Sequence, residues 1–106
     1  MVNAELIRLK LEEIATFFIE VRENSSNDWD QEKSQDGLKE VKALLHLIET
    51  KKSKLRNKEL KRLHIGFSFL THGVERLMDY ALDQKYRKII EDIYELKKDI
   101  ESQINW

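Results

Sequence analysis

Large apolar side chains recur at alternating intervals of three and four residues in four separate stretches of this chain. Such spacing places each series on one side of an α-helix, whereas a β-strand would need alternation at every second residue. The four series are Ile7, Leu11, Ile14, Phe18 and Val21; Leu38, Val41, Leu45 and Ile48; Leu60, Leu63, Phe67, Leu70, Val74, Leu77 and Ala81; and Tyr86, Ile89, Ile93, Leu96 and Ile100. The pattern therefore predicts four amphipathic helices.

Residues that form tight turns are scarce, since the 106 residues include no proline and only three glycines. β-hairpins depend on glycine-containing turns, so this scarcity also favours helices over sheets. We predict helices at about 4–23, 30–52, 58–82 and 84–103, within one domain that spans residues 1–106. Short connections make successive helices antiparallel, and the expected fold is all-α, an antiparallel up-down-up-down four-helix bundle.

Polar residues just before the predicted helices are candidates for N-caps, whose side chains accept hydrogen bonds from free backbone N–H groups. Asn3 is the candidate for the first helix, and Asp83 is the candidate for the fourth. For the second helix, Asp28 or Asp30 can serve, while Ser34 or Asp36 would mark a later start.

Two glycines lie seven residues apart on one side of the third predicted helix, at Gly66 and Gly73. Glycine inside a helix costs about 1 kcal/mol relative to alanine, so we expect both positions to admit a close neighbour. The aromatic rings of Phe17, Phe18 or Trp29 are the candidates for that space.

Catalytic patterns are missing from the sequence. The lack of cysteine excludes disulfides, thiolate metal sites and a cysteine nucleophile. No glycine-rich turn surrounds a serine, and the glycines are too far apart for a phosphate-binding loop. The adjacent carboxylates Glu12-Glu13 and Glu91-Asp92 fall in amphipathic helices, where we expect them to face water. We therefore predict a protein without enzymatic activity and without a cofactor.

Histidine and glutamate stand three residues apart in two predicted helices, as His46–Glu49 and His72–Glu75. Helical di-iron proteins place the glutamate before the histidine and add inward carboxylates from other helices. Here the order is reversed, and the apolar series of the first helix offers no such carboxylate. We predict two boundary histidines rather than a metal site. His64 is predicted to be a hydrogen-bonded imidazole at the edge of the core.

Positive charge is concentrated between the second and third predicted helices. Residues 51–62 have a net charge of +6, whereas residues 1–50 have a net charge of −5. The basic segment consists of Lys51, Lys52, Lys54, Arg56, Lys58, Lys61 and Arg62. Its last three members fall in the first turn of a helix, where cations oppose the helix dipole. Helix stability therefore does not explain them, and we expect this end of the bundle to attract phosphate, an anionic membrane surface or an acidic protein face.

Apolar residues exceed what one stripe per helix requires. Leu6, Phe17 and Ile19 lie outside the series of the first helix, and Ile65 and Phe69 lie outside that of the third. One interpretation is a wide buried face. The other is an exposed groove between the first and third helices, occupied by another helix or by a second copy of the chain.

These patterns favour a small cytoplasmic protein-interaction module, such as an inhibitor, an immunity-type protein or an adaptor or regulator. The basic segment would attract the protein partner, and Trp29, Ile65 and Phe69 would make apolar contacts. The alternative function is nucleic-acid or phosphate binding by residues 51–62. The sequence also allows a homodimer. It contains no run of about 20 apolar residues, so we predict no membrane span.

Overall fold

The computed structural model describes residues 4–49, 55–77 and 84–106, and the regular structure in these ranges is entirely helical. Its helices are α1 (Ala4–Asn24), α2 (Asp28–Ile48), α3 (Asn57–Arg76) and α4 (Gln84–Gln103). Helices α1 and α3 each pack against both α2 and α4, so they occupy opposite corners of the bundle. The predicted all-α four-helix bundle is confirmed.

Contacts between neighbouring helices establish their directions. Lys10 of α1 contacts Asp92 of α4, and Phe17, further along α1, packs against Tyr86, which precedes Asp92. Residue numbers that rise along α1 therefore meet falling numbers along α4. The two helices are antiparallel, as the short connections in an up-down bundle require.

The core combines the predicted apolar series of all four helices. Every described member of the first and third series is buried, as are the members of the fourth except Ile89, which is half-buried. In α2, however, Leu44 is fully buried and Leu45 only partly. Leu44 fits there because Gly66 of α3 has no side chain: a Cβ at Gly66 would lie 2.6 Å from Leu44 Cδ1. The close approach expected at Gly66 thus involves a leucine and not an aromatic ring.

One phenylalanine ring occupies the space between two other glycines. A Cβ added to Gly37 of α2 would lie 2.5 Å from Cζ of Phe18, and one added to Gly73 of α3 would lie 3.6 Å from the same atom. Of the three aromatic candidates, Phe18 is the one that packs against Gly73. Phe17 instead meets Tyr86, and Trp29 is 44% exposed, so those two candidates were wrong.

The N-terminus of α2 differs from the prediction. The N-cap is Asn27, whose Oδ1 accepts a hydrogen bond of 2.8 Å from the backbone N–H of Trp29. Asp28 and Asp30 lie in the first turn of the helix, where negative charge stabilises the positive end of the helix dipole. The later start at Ser34 or Asp36 was also wrong, because both residues lie inside α2.

The end of α3 also differs from the prediction, which placed it near residue 82. The helix ends at Arg76, and Leu77 leaves the helical region with φ −104° and ψ 40°. The backbone N–H of Leu77 donates to the carbonyl oxygen of Val74, which tightens the last turn. The N-cap candidates Asn3 and Asp83 and the buried candidate Ala81 lie outside the described residues.

The four described helices contain no stretch that is apolar enough to cross a membrane.

Candidate protein-binding face

The outer side of the groove between α2 and α3 brings together most of the predicted contact residues that the structure describes. We call this surface the α2–α3 face. From α2 it includes Trp29, Lys33, Asp36, Glu40 and Leu47, and from the α3 region it includes Arg56, Lys58, Arg62, Ile65, Phe69, Gly73 and Arg76.

At one end of the α2–α3 face, Phe69 lies in a shallow depression. Lys33 and Asp36 of α2 and Gly73 and Arg76 of α3 line the same depression. Phe69 is 49% exposed. This end therefore offers a partly exposed aromatic ring between basic residues of both helices.

Trp29 extends this end of the face by one helical turn. The Nζ atom of Lys33 lies 5.7 Å from the centroid of the Trp29 ring, a cation–π distance. Lys33 thus connects the exposed Trp29 ring to the depression around Phe69. Two residues that are 40 positions apart in the sequence come to one face in the fold.

A second depression lies at the other end of the face, beside Leu47. Its lining includes Arg56, Lys58, Glu59 and Arg62. The backbone N–H of Arg56 donates to Oε1 of Glu59 at 2.8 Å, which satisfies a free donor at the start of α3. This hydrogen bond occupies one oxygen of the carboxylate, while the basic side chains around it line the depression.

An ion pair lies at the edge of the second depression. Nη1 of Arg62 lies 2.8 Å from Oε1 of Glu40, and this contact connects α3 to α2. Arg62 was predicted to contact a partner, because helix stability does not explain its charge at this position. The pair with Glu40 gives it a structural role as well, although its side chain keeps 40% of its surface exposed.

Ile65 is the most exposed apolar residue of the face, at 64%. It precedes Phe69 by four residues and therefore lies on the same side of α3. The second interpretation, a groove between the first and third helices, was wrong, because α1 and α3 lie diagonally opposite and do not form a common groove. The exposed apolar residues of α3 lie beside α2 instead, and Phe17 of α1 is fully buried.

The remaining members of the basic segment are not all on this face. Lys61 turns to the C-terminal end of the chain, where its Nζ atom lies 5.9 Å from the centroid of the Trp106 ring. Lys51, Lys52 and Lys54 lie outside the described residues.

The end of the chain packs against the beginning of α3. Asn57 exchanges two hydrogen bonds with the backbone of Asn105, at 2.9 and 2.7 Å. The imidazole of His64 meets the Trp106 ring edge-on at 5.8 Å, and its Nε2 atom lies 3.7 Å from Oε2 of Glu101. That distance exceeds a hydrogen bond, and Nε2 has no hydrogen-bond partner among the described residues, so the structure does not show the predicted hydrogen bond at this atom.

The histidine–glutamate pairs and the adjacent carboxylates that the sequence offered as candidate sites do not come together as one site in the fold. His46 and His72 are exposed, and each lies near only the glutamate three residues later. Within the described ranges, no three His, Asp or Glu side chains assemble in a metal-binding arrangement. Glu12, Glu13 and Glu91 face water as expected, whereas Asp92 is half-buried and accepts a hydrogen bond of 2.8 Å from Lys10.

Three basic or apolar residues of the face were missed by the sequence analysis: Lys33, Leu47 and Arg76. A spacing signal existed for Arg76, which follows Phe69 by seven residues and so returns to the same side of α3. Lys33 and Leu47 had no comparable signal, because their positions next to α3 depend on how the two helices pack.

Comparison of this chain with models of protein families, with curated proteins and with solved structures finds no match.

Proposed function

We propose that this protein is a non-enzymatic interaction module that binds another protein through the α2–α3 face, as an inhibitor or regulator of that partner. The observation that carries the proposal is the exposure of Ile65 and Phe69, 64% and 49%, within one face lined by basic side chains. Exposed apolar residues rimmed by polar ones are typical of protein-binding surfaces. Basic residues at the rim would speed the encounter with an acidic partner.

Nucleic-acid binding by the same basic residues has less support. Aromatic and basic residues do share the face, as they do in proteins that bind single strands. Asp36 and Glu40 lie among them, however, and Glu40 already pairs with Arg62. Carboxylates repel the phosphate backbone, so these two residues favour a protein over a nucleic acid.

The test compares two double variants in affinity capture from the source cells, followed by measurement of the dissociation constant for the captured protein. Ile65→Ser/Phe69→Ser removes the apolar centre of the α2–α3 face. Leu9→Ser/Ile19→Ser is the matched control, because these residues are also exposed and apolar but lie on α1, at the opposite corner from α3.

We expect the first double variant to weaken binding by about 30-fold or more, as truncation of interface hot spots does, and the control to bind like the wild type. Arg56→Glu/Lys58→Glu should reduce mainly the association rate and its dependence on salt. Equal binding by the two double variants would contradict the proposal. Retention on DNA or RNA that decreases steeply with salt, and that the basic variant loses, would favour the alternative.

A further inference from the structure

The backbone of a partner that covers the α2–α3 face must satisfy its own hydrogen bonds. An extended peptide usually gains those bonds from an open sheet edge, but the described residues are helical and contain no strand. A partner segment that is itself a helix has its backbone groups paired internally and can bury an apolar side. The face therefore suits a helix that lies along the groove.

The arrangement of charge along the face defines such a helix more closely. Lys33 and Arg76 lie at the Phe69 end, and Arg56, Lys58 and Arg62 lie at the Leu47 end. The exposed side chain of Ile65 lies between these two groups on α3. The face thus has an apolar centre with basic residues at both ends.

The α2–α3 face also contains carboxylates, but its basic residues outnumber them. The two depressions and the Arg62–Glu40 ion pair contain five basic and three acidic residues. Glu40 and Arg62 neutralise each other, and the four remaining basic residues outnumber the two remaining carboxylates, Asp36 and Glu59. A partner helix with acidic residues opposite both ends would complement the excess charge.

The length of the partner helix follows from the positions of the basic residues. Lys58 and Arg76 are 18 residues apart on α3, which corresponds to about 27 Å and five turns of a helix. A helix of about the same length would reach from one basic end to the other.

We propose that the partner segment is an amphipathic helix of about five turns, with an apolar stripe in its centre and carboxylates in its first and last turns. It lies along the α2–α3 face, with its stripe on Phe69, Ile65 and Leu47. This inference rests on the proposed function and names the chemistry of its partner.

The test uses a displayed library of helical peptides of about five turns. Leucine is fixed at i, i+4, i+7 and i+11, and the residues of the first and last turns vary among Asp, Glu, Lys, Arg, Ser and Gln. The library is selected in parallel on the wild type, on Lys58→Glu/Arg76→Glu and on Ile65→Ser/Phe69→Ser, after circular dichroism has shown that each variant is folded.

The charge-reversed variant is the necessary control, because the dipole of any helix favours acidic residues at its start and basic residues at its end. Only a preference that changes with the protein's charge reports contact with the face. We expect acidic residues at both ends in peptides selected on the wild type, and basic residues at both ends in peptides selected on Lys58→Glu/Arg76→Glu. The selected acidic peptides should bind Ile65→Ser/Phe69→Ser at least about tenfold more weakly.

The same terminal residues on all three proteins, or equal binding to the variant that lacks Ile65 and Phe69, would overturn this inference. The failure of the proposed function has a different signature. If the protein captured from cells depends on Ile65 and Phe69 while the library shows no charge preference, only the acidic helix is wrong. If the captured protein binds without Ile65 and Phe69, the proposed function is wrong as well.

Discussion

Helices α1 and α3 both contain more apolar residues than one stripe requires, and these extra residues differ in burial even within α1, where Leu6 and Ile19 are exposed. Phe17 of α1 is fully buried, with its ring 4.8 Å from that of Tyr86 in α4. Phe69 of α3 is half-exposed beside α2, and Ile65 is more exposed still. Extra apolar residues therefore widen the core where they turn toward a neighbouring helix, and they form a surface patch where they turn away from one.

The first way to sharpen this comparison is to truncate one ring from each helix. We expect Phe17→Ala to lower the free energy of unfolding by about 3–5 kcal/mol, because it leaves a cavity in the core. Phe69→Ala should cost about 1 kcal/mol or less, since half of its ring is already in water. Urea unfolding of both variants measures the difference. Equal losses would mean that Phe69 belongs to the core.

The second test concerns the two glycines that contact Phe18. Gly37→Ala should destabilise the bundle by about 1–2 kcal/mol, because the new Cβ would lie 2.5 Å from the ring. Gly73→Ala should stabilise it by about 0.5–1 kcal/mol, because its Cβ would lie at 3.6 Å, an ordinary contact, and alanine favours helix. Thermal or urea unfolding of both variants measures whether each substitution raises or lowers the stability. A loss of stability at both positions would contradict the looser packing at Gly73.

Ile65 and Phe69 are apolar residues that are exposed on α3, whereas Ser34 is a polar residue that is buried on α2. Its Oγ atom has no hydrogen-bond partner among the described residues, and its side chain is fully buried. We expect Ser34→Ala to raise the free energy of unfolding by about 1 kcal/mol. Ser68→Ala is the control, because the Ser68 hydroxyl donates to the carbonyl oxygen of His64. A gain no larger than that of the control would indicate that the hydroxyl of Ser34 is hydrogen-bonded in solution.

The smallest expected effect concerns the Lys10–Asp92 ion pair, which connects α1 to α4 two helical turns from Phe17. The hydrogen bond to Asp92 raises the pKa of Lys10 above its usual value of 10.5. Because the pKa is higher in the folded state, the protonated lysine stabilises the fold at pH values below its usual pKa. This contribution to the free energy of unfolding is lost as the pH rises through the raised pKa. Lys10→Met should therefore cost about 0.5 kcal/mol at neutral pH, and the difference from the wild type should shrink above about pH 10.5.

Urea unfolding of the wild type and Lys10→Met from neutral to alkaline pH measures this effect. Asp92→Asn removes the charge of the other residue of the pair and serves as the control. Its difference in stability from the wild type should also shrink at alkaline pH. A difference that stays constant through alkaline pH would show that the lysine stem contributes by packing alone.

Much of the fold could be predicted from spacing alone, because a helix repeats every 3.6 residues whatever surrounds it. The series from Leu60 to Leu77 was predicted and is buried throughout. The burial of Leu44 in place of Leu45 could not be predicted, since both residues border the apolar stripe of α2. The gap that Gly66 leaves in α3 selects Leu44, and that gap is a property of two helices together.

The candidate site was predictable in its parts but not in its arrangement. Trp29, Ile65, Phe69 and Arg62 were each identified from the sequence. Their exposure could not be predicted from a place outside the buried stripes, because Phe17 also lies outside its stripe and is buried. Their assembly with Lys33 and Arg76 on one face depends on the contact between α2 and α3.

The amino-acid sequence by itself determined that this chain forms helices, where most of them begin and which side of each is apolar, because these properties depend on interactions between residues close in sequence. The tertiary structure decided which of the extra apolar residues are buried and which form the α2–α3 face. A residue at the edge of a stripe is covered only if a neighbouring helix lies on that side, and the positions of neighbouring helices result from the packing of all four.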